Sequence, residues 1–241
     1  MRTRGIILTC IILVTGIPAA MAQQGQNRTD GQGRKQGTWV KTDTAGRKVY
    51  SGQFRDNIPI DTFRYFYPDG KLKTISVFSE KGKKVTSESF FPNGKPMAKG
   101  IYRDEKKDSL WQFFSEYDGT LVSEEIYRNG IKDGTSKVYF PEGGVSEITT
   151  WSGGTREGLW ETYYTDGKVK MKGAYHGGDK SGPFVFYYNS GKVMITGSYA
   201  AGHQDGVWIY YSADSEVART EKYDKGILIS KSPEDTTPER K

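Results

Sequence analysis

Two histidines, His176 and His203, are the only imidazoles in a chain of 241 residues, so any histidine acid–base chemistry would have to use them. Both lie in Gly-rich connecting stretches, "HGGDKSG" (176–182) and "AAGHQDG" (200–206), and nothing in their flanks supplies the shared pocket such a pair needs. They read as solvated turn residues. Asp133, Glu157, Ser181 and Asp205 recur at one position before a glycine, which raises the idea of a ladder of metal ligands. Calcium, however, takes about six to eight oxygens around one ion, and single carboxylates a whole repeat apart do not gather that number. Turn chemistry accounts for them. There is no G-x-S-x-G, H-E-x-x-H or phosphate-loop spacing, and the one cysteine, Cys10, falls in an apolar leader. The sequence predicts no catalytic residue, no metal site and no cofactor.

One set of residue types does point to recognition. Trp160, Tyr164, Phe184, Phe186, Tyr188, Trp208 and Tyr210 are expected to share one side of a sheet with Lys168, Lys170, Lys172 and Lys192. Rings flanked by lysines can hold a glycan, a peptide or an acidic partner, and an exposed apolar sheet face often marks a binding surface. The competing expectation is packing, in which the rings cover one another and the lysine stems cover the rings.

A repeat must position these residues. Gly134, Gly158, Gly182 and Gly206 stand 24 apart. Nine residues into each unit come Gly143, Gly167, Gly191 and Ser215, and seventeen in come Trp151, Tyr175, Tyr199 and Tyr223. Allowing one inserted residue in "SEYDG" (115–119), the same grid runs back through units beginning at Gly37, Asp61, Val85 and Ser109. The late position is then aromatic in all eight units. Turn signals such as "TDG", "PDG", "PNG" and "NSG" divide each unit into two strand-like runs, and no window has helical periodicity. The fold class expected is all-β, an elongated antiparallel sheet of about eight tandem hairpins over 37–228. If the three residues ending in each glycine form the turn, Trp160, Thr162 and Tyr164 face one way with Lys168, Lys170 and Lys172. Tyr163, Val169, Met171, Gly173 and Tyr175 then face the other way, and the small Gly173 leaves room for a neighbouring ring.

Composition agrees with a thin sheet. Only 35% of residues are hydrophobic, while there are 30 glycines and 16 tyrosines, so much of the apolar area comes from rings. Residues 1–22 have the layout of a cleavable signal peptide: Arg2 and Arg4, an apolar run from Ile6 to Ile17, then Ala20-Met21-Ala22. That run is short of the roughly 20 residues a membrane-spanning helix needs, so no transmembrane segment is expected after cleavage. Export to the periplasm, the cell surface or the medium follows. Residues 23–36 and 229–241 are polar and are expected to be a disordered linker and tail. Loss of Arg2 and Arg4 takes the net charge from +6 to +4, with the remaining lysines spread along the chain, so no nucleic-acid partner is implied.

The pattern formed by Gly158, Trp160, Tyr163, Tyr164, Gly167, Gly173, Tyr175 and Gly178, repeated over 182–202, resembles MORN-repeat variants of the kind found in YwqK-family antitoxins. Units at 85 and 134 depart from it, with Ser87 and Ser136 where Trp or Phe is expected. The resemblance implies an extended sheet used for binding or scaffolding, with a protein partner. It also implies an alternative, inhibition of a partner toxin. A further alternative is a cell-wall or glycan-binding array, since choline-binding repeats use Gly-Trp and Tyr-Tyr hairpins of similar length.

Overall fold

The computed structural model describes residues 25–232, which form twenty β-strands, one three-residue 3₁₀ turn at Glu80–Gly82 and no α-helix. The leader at 1–22 and the last nine residues lie outside the described part. Successive strands pair antiparallel in chain order, so each hairpin touches the ones before and after it and the whole is a single open sheet. A lone hairpin is marginal in water, and stacking on neighbours supplies the missing burial. The tandem-hairpin architecture read from the 24-residue spacing is the one observed.

Two kinds of turn alternate. Within most units the turn is a three-residue loop closed by glycine in the left-handed region, with one residue more after Ser115, and with Ser215 in place of glycine in the last unit. Gly167, at φ +83°, donates to the Tyr164 carbonyl, and Tyr164 in turn donates to the Lys168 carbonyl. Between most units the turn has two residues, both with positive φ, as at Asp56–Asn57, Asp104–Glu105 and Gly177–Gly178, while residues 80–83 form a longer loop between the paired Ser79 and Lys84. The two-residue turns are the primed kind whose twist matches the flanking strands.

One feature changes the faces expected from sequence. Each return strand carries an extra, unpaired residue shortly after the turn. Tyr163 pairs with Val169 but Thr162 pairs with Met171, leaving Lys170 out of register. The same bulge recurs at Val49, Lys73, Met97, Val122, Ser146, Met194 and Ala218. A slip of one residue moves every later side chain to the other side of the sheet. Trp160 therefore stands opposite Gly173, on the side of Met171 and Tyr175, and Lys172 stands opposite Glu161 on the other side. The expectation that Trp160 shares a side with Lys172 is corrected by this bulge.

Both ends also differ from the disordered flanks expected. Within 23–36, Arg28–Thr29 pairs with Lys35 and Gln36, and Asp30 holds the turn by accepting from the Gln32 and Arg34 amides at 2.9 and 3.0 Å. The Asn27 side chain then mimics a further strand: its amide nitrogen donates to the Val40 carbonyl at 3.0 Å and its oxygen accepts from the Val40 amide at 2.8 Å. That contact blunts the first sheet edge. At the other end Ile227–Ser232 is a paired strand, so residues 229–232 belong to the sheet and not to a tail.

Candidate binding faces

The two sides of the sheet are built differently. On one, here the ring face, aromatic side chains from neighbouring strands interlock. Trp160 lies 5.2 Å from Tyr175 and 6.1 Å from Phe184, Phe184 lies 4.6 Å from Tyr199, and Trp208 lies 5.1 Å from Tyr199 and 6.4 Å from Tyr223. In the first half Phe63 sits between Phe54 and Phe78, at 5.1 and 5.0 Å. Most of these pairs meet edge to face, the arrangement favoured by ring quadrupoles. The core of the described part is this row: Phe63, Trp111, Met171, Phe184 and Trp208 are buried although no second layer among the described residues covers the sheet.

Glycine makes the interlocking possible. A Cβ at Gly52, Gly100, Gly173 or Gly197 would collide with the ring of the next unit, respectively Phe63, Trp111, Phe184 and Trp208. Where the next unit brings no ring, the glycine is replaced. Ser76 faces Ser87, and Glu221, beside the last strand, faces Lys231. Thr149 opposite Trp160 is the exception, and the room left for a neighbouring ring by Gly173 is as expected.

Cations lie over these rings, but they are not the predicted lysines. Lys107 Nζ is 4.7–4.8 Å from the Trp111, Phe113 and Tyr127 centroids. Lys180 Nζ lies 5.3 Å from Trp160 and 5.1 Å from Tyr199, and Arg156 is 5.1 Å from Tyr175. Lys35 and Lys132 do the same over Trp39 and Trp151. All five occupy the position two before the unit's first residue, a periodicity present in the sequence. Burial lowers the Lys107 pKa, and the rings stabilise the cation in its place.

The predicted site residues divide into three groups. Trp160, Phe184, Phe186, Trp208 and Tyr210 belong to the ring face, with Phe184 and Trp208 only 1% and 2% exposed. Tyr164 and Tyr188 sit at turns and latch them together: their hydroxyls donate to the Tyr187 and Tyr211 carbonyls of the next unit at 2.6 and 2.7 Å. Tyr67 repeats this on Phe90 at 2.8 Å. Lys168 pairs with Asp166 at 2.9 Å within its turn, Lys192 donates to the Ala213 carbonyl at 2.8 Å, and Lys170 lies 5.8 Å from the Tyr164 ring. Lys172 is bound to Glu161 at 3.1 Å on the outer face. The structure therefore does not gather the eleven residues on one side.

The outer face is mixed. Tyr163 donates to Glu161 at 2.6 Å and Tyr139 to Glu124 at 2.8 Å. Burial first, then the bonded carboxylate, pushes each phenol up to about 12. Between these polar pairs Val77, Leu110, Ile126, Leu159 and Val207 remain exposed, Val207 by 55%. Their alternation with Trp111, Trp160 and Trp208 along each strand places them opposite the rings. Of the residues singled out at the turns, Glu157 accepts from the Gly177 amide at 2.7 Å and lies 2.8 Å from His176 Nδ1, while Asp205 accepts from the Lys225 amide at 3.4 Å. Those bonds tie one turn to the next, and the Gly177 amide followed by His176 lowers the Glu157 pKa.

Three stretches of the chain, 62–80, 156–176 and 180–201, match the family described as MORN repeat variant. No curated protein matches the chain. Among solved structures, the crystal structure of TcdB2-TccC3-Cdc42 aligns at 10% identity over 76% of this chain and 12% of that one, with a TM-score of 0.23. The crystal structure of TcdB2-TccC3-TEV aligns at 13% identity over 78% of this chain and 11% of the other, with a TM-score of 0.24. The chain thus spans a small part of the length of both. A protein with unknown function from Bacteroides fragilis NCTC 9343 aligns at 7% identity over 83% of this chain and 93% of that one, with a TM-score of 0.11.

Proposed function

We propose that this protein is an exported, non-catalytic β-repeat module that binds or scaffolds another protein. The observation that supports this most directly is the track of exposed Val77, Leu110, Ile126, Leu159 and Val207 on the outer face. The chain's own rings occupy most of the opposite side, whereas these apolar side chains, spaced by Thr135, Thr150 and Ser198, stay open to a partner. Exposed apolar side chains recurring along one side of a sheet suit an interaction surface. Acidic and basic side chains such as Glu161 and Lys172 flank the track and would orient a partner through complementary charge. Export rests on the leader pattern of Arg2, Arg4, Ile6–Ile17 and Ala20-Met21-Ala22. A narrower form of the reading, supported by the repeat resemblance, makes the partner a toxin.

The test is affinity capture from the envelope fraction of the source cells, with the chain lacking residues 1–22 as bait. A bait carrying Leu159→Ser and Val207→Ser is the comparison. A specific partner retained by the first bait and lost by the second supports the reading. The same proteins on both baits, or none on either, would end it.

A further inference from the structure

The ring face is interrupted at two units, where Ser87 and Ser136 replace the expected Trp or Phe. At the second interruption the space is used by Glu125, which bonds the Tyr127 hydroxyl at 2.5 Å and Lys132 at 2.7 Å. At the first it stays open. Ser76 and Ser87 face each other across neighbouring strands, and above them is a surface depression of about 370 Å3 walled by Tyr65 and Tyr102. Lys73 and Thr74 also line it.

We infer that this depression is a saccharide subsite, holding one pyranose ring of a glycan. Three features select that chemistry. The space lies where other units place a ring, so its shape suits a flat six-membered body between aromatic walls. Its floor is polar: Ser76 and Ser87 are 7% and 8% exposed, and both line the depression. Neighbouring Ser89 spends its hydroxyl on the Ala98 carbonyl at 3.2 Å. An aromatic side chain from a partner would fit the walls but would offer neither hydroxyl a hydrogen bond, which is unfavourable. A pyranose offers C–H groups to Tyr65 and Tyr102 and hydroxyls to Ser76, Ser87 and Thr74. A largely apolar pocket with a few placed polar groups is the usual form of a small-ligand site. The subsite lies on the side opposite the outer apolar track and does not depend on the protein-binding reading.

The test is NMR titration of the chain lacking residues 1–22 with four separate probes: cellotriose, maltotriose, chitotriose and mannotriose. At least one should give saturable shifts at Tyr65, Ser76, Ser87 and Tyr102. Ser87→Ala, which removes one hydroxyl without adding bulk, should weaken that probe about fivefold or more. Ser76→Gly combined with Ser87→Trp refills the gap in the manner of Gly100 and Trp111 and should abolish binding while the variant stays folded. The inference is overturned if no probe shifts these residues, if the refilled variant binds unchanged, or if N-acetylphenylalanine amide occupies the depression more tightly than any sugar.

Discussion

The ring of Phe184 lies directly on the backbone of Gly173, and a methyl group at that glycine would collide with the ring carbons. Trp208 covers Gly197 in the same way one unit later. Units with this glycine are thereby keyed to the next through the absence of a side chain, and the row of rings is buried with no second layer among the described residues. Gly173→Ala should destabilise the protein by about 1–3 kcal/mol through overpacking, measured by urea unfolding. Ser76→Ala, at an equivalent position with no ring above it, should change stability by less than about 1 kcal/mol.

The turn tyrosines should behave as structural latches and not as ligand contacts. Tyr164→Phe and Tyr188→Phe each remove one hydroxyl that donates to the next unit's turn. Each should cost about 0.5–1.5 kcal/mol and speed amide hydrogen exchange in the adjoining turns. Unchanged exchange there would show that the hydroxyl bonds do not hold the turns together.

Alkaline pH should loosen the sheet. Tyr163 and Tyr223 are raised from 10.0 to about 12, by burial first and then by the carboxylates of Glu161 and Glu221. The folded state therefore holds these protons more tightly than the unfolded chain. That contribution is complete below pH 10 and is lost as pH rises toward 12. Thermal midpoints should fall across this interval, and Tyr163→Phe with Tyr223→Phe should flatten the fall. At the acid end Glu161 and Glu221 have lowered pKa values, the hydrogen bonds outweighing burial, so their contribution is lost as pH drops below about 4.5.

Substitutions on the two faces should separate stability from binding. Trp208→Ala removes a ring that is 2% exposed and should cost about 3–5 kcal/mol, enough to confuse any binding assay. Leu159→Ser and Val207→Ser lie on the exposed outer face and should each leave the unfolding midpoint nearly unchanged, within about 0.5 kcal/mol, while removing partner capture. A large loss of stability in the outer-face variants would show that their apolar side chains support the fold.

Much of the fold was legible in residue spacing. The 24-residue recurrence of turn glycines and late aromatics specifies how many hairpins form, where they turn and that Tyr175, Tyr199 and Tyr223 share a side, because periodic side chains on equal strands repeat their environment. The cations over the rings, Lys35, Lys107, Lys132, Arg156 and Lys180, also recur two places before the start of five units, but lysine is as frequent on the return strands, so residue type alone does not single them out. The bulge at Lys170 and its equivalents was not legible. An unpaired residue has no local composition of its own, since Val, Lys, Met, Ser and Ala all occupy it, and only the packing of Trp160 against Tyr175 and of Phe184 over Gly173 decides between the two possible registers. The ends followed the same logic: Asn27 and Ile227–Ser232 are ordered by pairing with strands already in place, a stabilisation that exists only once the sheet has formed.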